Sequence, residues 1–165
     1  MYFEKGCNRG YAYSCIAKGK IGLDATVIEP DFKKIAIWYQ KACDIDHGEG
    51  CALLGDLYKN GLGVTKNDEL AATLFTRACN NDNALGCYLL GKAYDNGDGL
   101  PLDAAKAFDY YQRACNKRLN LGCQSIADAY YYGKYVKQDR EIAKSYYKKA
   151  CQLGAKASCN FLEKK

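Results

Sequence analysis

The sequence predicts an all-α solenoid of helix-pair repeats, and three observations carry that prediction. The cysteine pair C-x7-C recurs every 36 residues, at 7/15, 43/51, 79/87, 115/123 and 151/159, without one insertion or deletion. Within each period, two runs of residues place their apolar members at helical spacing. Between the runs, glycine-rich breakers and cap-forming residues stand in the same register. A helix hairpin of this size cannot bury both apolar faces alone, so the units must stack into a continuous core.

Counted from the first cysteine, the units are 7–42, 43–78, 79–114 and 115–150, with partial units at 1–6 and 151–165, in a single repeat domain over 1–165. Residues 2–7 match residues 146–151, so the chain is expected to open partway through an element. The first helix of a unit, helix A, reads in the second unit as Cys51, Leu54, Gly55 and Tyr58 before the breaker Gly61-Leu62-Gly63. The third unit repeats it as Cys87, Leu90, Gly91 and Tyr94 before Gly97-Asp98-Gly99. The small residue at 19, 55, 91 and 127 is expected to let a large side chain of the neighbouring helix approach closely.

After a short loop, Asp31, Asn67, Asp103 and Asp139 occupy one position, each with an oxygen that can cap the free N–H groups of the next helix. Helix B follows. Its stripe is Ile35/Ala71/Ala107/Ala143, Trp38/Leu74/Tyr110/Tyr146, Tyr39/Phe75/Tyr111/Tyr147 and Ala42/Ala78/Ala114/Ala150. Trp38 is therefore a core residue. Two units depart from the pattern. In 7–42, Lys18, Gly22, Ala25 and Val27 replace Leu, Tyr, Gly and Gly, so its first helix is expected to be short or irregular. In 115–150, Ala127 and Tyr135 replace two glycines.

Eight residues of continuous helix would separate paired cysteines by about 12 Å, beyond the roughly 7 Å between Cα atoms that a disulfide tolerates. The chain must turn between them, and the polar stretches 46–50 and 80–84 supply the corner. An even count in a strict period then favours nearest-neighbour bonds: Cys7 with Cys15, Cys43 with Cys51, Cys79 with Cys87, Cys115 with Cys123, and Cys151 with Cys159. Each closes a nine-residue ring worth about 2–3 kcal/mol in the chain-entropy account. Structural zinc sites favour C-x2-C or C-x4-C spacing, and His47 is the only histidine, so no metal or other cofactor is expected. His47 itself is read as a solvated corner residue.

Charge and composition bound the function. Lys+Arg minus Asp+Glu is 24 − 19 = +5, a mild surplus with acids interspersed, which does not make a nucleic-acid-binding field. No stretch approaches 18 uninterrupted apolar residues, so no membrane span is expected. Disulfides imply an oxidising compartment, secreted or periplasmic in a bacterium, although a mitochondrial intermembrane or redox-partner protein would also use paired cysteines.

The C-x7-C spacing, the L-G-x-x-Y-x-x-G-x-G pattern at 54–63 and 90–99, and the helix-B ending Tyr/Phe-x-Lys/Arg-Ala-Cys resemble Sel1-like repeats. In its cysteine pairs the chain is similar to the Helicobacter cysteine-rich protein family. The resemblance implies α/α units with one bridge each, export, and contact with a host or another partner. It also brings in the alternative of a penicillin-binding protein with weak β-lactamase activity. Serine β-lactamases need S-x-x-K with S-D-N and K-T-G elements in one cleft. Ser145 and Lys148 spell S-x-x-K, but both companion motifs are missing and the equivalents of Ser145 are Ile37, Thr73 and Asp109. The match reads as chance, and the leading expectation is a non-catalytic scaffold.

By analogy with tetratricopeptide arrays, the A helices line an inner, concave wall that holds a protein or peptide. Its outward positions are Ala52, Asp56, Lys59 and Asn60; then Tyr88, Lys92, Asp95 and Asn96; then Gln124, Asp128, Tyr131 and Tyr132. These differ between units, as a reading surface requires. Asparagine can donate to and accept from an extended backbone, and tyrosine offers apolar area with a polar tip.

Overall fold

A computed structural model describes residues 5–7, 11–23 and 30–163 of the chain. The expectations placed on residues 1–4 and on Ala25 and Val27 lie outside the described residues. The helices are α1 (Ala12–Leu23), α2 (Phe32–Asp44), α3 (Gly48–Asn60), α4 (Asp68–Asn80), α5 (Ala84–Asn96), α6 (Ala104–Asn116), α7 (Asn120–Tyr132), α8 (Arg140–Gln152) and α9 (Lys156–Glu163). Odd-numbered members are the A helices and even-numbered members the B helices. There is no strand among the described residues, and the fold is the expected all-α repeat of the solenoid class.

The chain forms two compact units, one running to Gly86 and including Asp98–Leu100, the other holding Cys87–Gly97 and everything from Pro101 onward. In the first, α2 packs on α1 and α3, and α3 packs on α4. In the second, α7 packs on α6 and α8, and α8 on α9.

Each B helix starts where the cap residues predict. The Asp31, Asn67 and Asp103 carboxyl or amide oxygens accept from the backbone N–H of Lys34, Leu70 and Lys106 at 3.1, 2.9 and 3.0 Å. Asp139 accepts from both Glu141 and Ile142 at 3.0 and 2.9 Å. The loop before each cap is closed by one recurring bond, from Asn67 N–H to the Tyr58 carbonyl at 2.9 Å, Asp103 to Tyr94 at 3.1 Å, and Asp139 to Tyr130 at 2.9 Å. Within these loops Gly63 lies at φ 70°, and a Cβ there would overlap the Phe32 carbonyl group. Both the conformation and the space demand glycine.

The corners between B and A helices are just as regular. The N–H groups of His47, Asn83, Leu119 and Ala155 donate to the carbonyls of Ala42, Ala78, Ala114 and Ala150 at 3.1, 3.0, 3.0 and 2.9 Å. Asp46, Asp82, Arg118 and Gly154 turn the chain through positive φ. The disulfides lie across these corners, with Cα separations of 4.6 Å for Cys7 and Cys15, 4.5 Å for Cys43 and Cys51, 4.5 Å for Cys115 and Cys123, and 4.8 Å for Cys151 and Cys159. Cys79 and Cys87 are disulfide-bonded too, and no described cysteine is free.

The small-against-large packing expected from the sequence is present. Gly19 abuts the Tyr39 ring, a Cβ on Gly55 would stand 2.6 Å from Phe75 Cε1, and one on Gly91 would stand 2.9 Å from Tyr111. Ala127 packs in the same buried cluster as Tyr147. A second small register was not anticipated. A Cβ on Gly50 would stand 2.6 Å from the Ala42 methyl and one on Gly122 2.7 Å from the Ala114 methyl, while one on Gly86 would overlap that of Ala78. The signal was legible as Ser14, Gly50, Gly86, Gly122 and Ser158, the residue before the second cysteine in every unit. Small residues facing one another here bring the backbones within disulfide reach.

Three expectations need correction. The first helix is not stunted: α1 runs for 12 residues, because Cys15 and Ile16 are buried and Gly19 seats Tyr39. Ala52 is fully buried rather than outward, since it joins the cluster of Ile35, Ala36 and Leu54. His47 is not a solvated corner residue, for its Nδ1 is buried without a hydrogen bond and its ring meets Tyr13 edge-on at 4.8 Å. Trp38 is half-buried and packed against the core, with Lys18 Nζ 5.3 Å from its ring centre.

Candidate partner-binding site

The candidate residues occupy the A helices, mostly toward their C-terminal ends. In the first compact unit, Asp56, Lys59 and Asn60 form the last turns of α3. The Asn60 amide donates back to the Asp56 carbonyl at 2.8 Å and to its carboxylate at 3.1 Å, and remains exposed. Lys59 pairs with Asp98 at 2.7 Å. Lys59 is therefore a partly buried structural ion pair more than an open hook.

In the second unit the candidates divide into those held inside and those left open. Tyr88 is half-buried, tilted on Tyr111 with ring centres 5.8 Å apart, and Lys92 Nζ stands 6.0 Å from its ring. Asp95 is also half-buried. It accepts from Lys134 Nζ at 2.9 and 3.0 Å, from the Tyr135 hydroxyl at 2.5 Å and from the Tyr111 hydroxyl at 3.4 Å. Burial pushes the Asp95 carboxyl up, but the Lys134 and Tyr135 hydrogen bonds outweigh it and leave it below the usual carboxylate range.

Asp128 has the opposite environment. The Tyr147 hydroxyl donates to it at 2.5 Å, and it has no ion pair among the described residues. Burial raises its carboxyl above the ordinary value, with the Tyr147 bond only partly opposing. Tyr131 is half-buried, with ring centres 5.1 Å from Phe161 and 4.9 Å from Tyr132. Tyr132, at 73% exposure, projects as the sequence reading expects. Gln124 is half-buried, and Asn96 is exposed with a partner of its own.

The outward reading of Tyr88, Asp95, Asp128 and Tyr131 is thus corrected to half-buried, for a common reason. Tyr111 of α6, Tyr135 of the loop after α7, Tyr147 of α8 and Phe161 of α9 each cover a flank of one or more of these side chains. Three candidates nevertheless surround one cavity. Asp95, Asp128 and Tyr132, with Tyr111, Ser125, Ala129, Lys134 and Tyr135, line a space of about 170 Å³. Lys134 and Tyr135 escaped the sequence reading, although the loss of the repeat glycine at Tyr135 was visible. Tyr135 holds φ 70°, unusual for an aromatic residue, and its hydroxyl bond to Asp95 shows what the substitution supplies.

The S-x-x-K match gathers no catalytic machinery of its own. Ser145 is exposed and donates to the Ile142 carbonyl one turn back at 2.7 Å, and Lys148 is exposed on the same helix. Among the described residues no group of three or more His, Cys, Asp or Glu stands ready to hold a metal ion, and no helix is long and apolar enough to cross a membrane.

Comparison with known proteins places these features. A family model described as the Sel1 repeat matches residues 22–47, 48–83, 84–119 and 118–154. No curated protein sequence matches. Among solved structures, a Sel1 repeat protein from Oxalobacter formigenes is similar over 98% of this chain and 64% of its own, at 24% identity and TM-score 0.89. A protective antigen of uropathogenic Escherichia coli with an SLR fold is similar over 98% of this chain and 34% of its own, at 25% identity and TM-score 0.85. The present chain thus spans less than two thirds of either protein. Helicobacter pylori cysteine rich protein B is 31% identical, over 83% of this chain and 98% of its own, at TM-score 0.65. The repeat matches run across most of the chain, and with them the chain belongs to the Sel1 repeat family, in company with the Helicobacter cysteine-rich proteins.

Proposed function

We propose that this chain is an exported, disulfide-held scaffold whose A-helix face binds a protein or peptide and which performs no catalysis itself. Sel1 repeats are protein-interaction repeats, so the general role follows from the family. The carrying observation is that the core positions of the A helices repeat while the neighbouring polar ones differ. Leu54, Leu90 and Ile126 are all fully buried, yet Asp56, Lys92 and Asp128 succeed one another at a single register. A surface that varies on an invariant core is suited to reading a partner.

The disulfides support export to an oxidising compartment, periplasmic or extracellular. Contact with a host belongs to the same reading. Asn60, Asn96 and Tyr132 are its exposed members, and Gln124 and Tyr131 extend it. The test is binding of the intact oxidised chain to an array of random decapeptides. The native chain is expected to bind a reproducible subset. The combined Asn60→Ala and Tyr132→Ala changes should lower that signal several-fold, with helicity by circular dichroism unchanged. Full retention of binding in this double variant contradicts the reading.

A further inference from the structure

We propose that the cavity beside Asp128 is a subsite for a basic side chain, lysine or arginine, of the bound peptide. The inference rests on the peptide-binding reading above and adds the chemistry of one residue of the partner.

The electrostatics single out one carboxylate. Two acidic groups and one cation line the cavity, but Lys134 is committed to Asp95, which the Tyr135 and Tyr111 hydroxyls satisfy further. Formally the cavity keeps one negative charge, on Asp128. That group has a single hydrogen-bond donor, the Tyr147 hydroxyl, which serves one of its oxygens. Its half-buried position keeps water from compensating it fully, and it titrates above the ordinary carboxylate range for that reason. An arriving cation would relieve this desolvation, whereas an anion or an apolar group would deepen it.

The walls fit the same ligand. Tyr111, Tyr132 and Tyr135 line the same cavity, and aromatic faces attract ammonium and guanidinium groups. Ser125 adds a hydroxyl that can accept from either. A volume of about 170 Å³ admits the end of one long side chain. Tyr132 stands exposed at the site, where it can lie along the aliphatic stem of the entering residue.

The experiment uses the oxidised chain and the same decapeptide array, with each bound peptide re-synthesised after replacing every lysine and arginine by glutamine. The native chain is expected to bind the basic versions about tenfold more strongly. Asp128→Asn keeps the shape and the acceptor for Tyr147 and should erase that difference. Tyr132→Ala, at an exposed position, should reduce it. Native binding that ignores the lysine and arginine replacements, or an unchanged preference in Asp128→Asn, overturns the subsite while leaving the peptide-binding reading intact. Absence of binding to every peptide overturns both.

Discussion

At Gly55 a hydrogen stands where the Phe75 ring needs space, and the consequence is measurable. Gly55→Ala places a methyl 2.6 Å from Phe75 Cε1 and is expected to destabilise the chain by about 1–3 kcal/mol, read from chemical denaturation. Asp128 predicts the opposite sign. Its folded-state pKa is raised, so the folded chain holds the proton more firmly, and stability falls as pH rises through that value. Asp128→Asn should therefore unfold at a higher temperature than the native chain at pH 7 and at the same temperature at pH 3, where both side chains are neutral. A lower melting temperature for the variant at pH 7 contradicts this. Asp95 behaves in the usual direction: its lowered pKa contributes stability above the ordinary carboxylate value that is lost as pH falls through the folded one. The sequence showed Asp95 and Asp128 as two outward acids on successive A helices. What separates them is the Lys134 and Tyr135 pair, brought back over Asp95 from a loop 39 and 40 residues later.

At the scale of a helix, most of the structure was legible. Four cap residues in one register announce where the B helices begin, because a side-chain oxygen must satisfy N–H groups that the helix cannot. Asn67→Ala should lower stability by about 1 kcal/mol and Asp103→Ala should lower it as well, with thermal unfolding as the measurement. Loss of less than a few tenths would show that these bonds at 2.9 and 3.0 Å contribute little. The outward face of the A helices was less legible. A helix in a repeat array is flanked by other helices, and period alone does not tell where their cover ends. Ala52 lies under α2 and α3 neighbours, and Tyr131 under Phe161, while Tyr132, one residue on, is open. His47 was misread similarly: its corner was correctly located, but Tyr13, which covers it, belongs to the previous unit's first helix.

For the molecule as a whole, the corners join the helix pairs and the disulfides hold the corners. Their legibility follows from locality: a bond closed across nine residues depends on one tight turn and two small facing residues, not on long-range topology. Reduction should accordingly lower the melting temperature by many degrees, since each nine-residue ring contributes about 2–3 kcal/mol in the chain-entropy account. The most direct measurement of the scaffold is disulfide mapping of the natively isolated chain by mass spectrometry without reduction. Five local links are expected, each joining cysteines eight residues apart, with no sulfur open to alkylation. Free thiols at all ten positions, or links between distant repeats, would contradict the account.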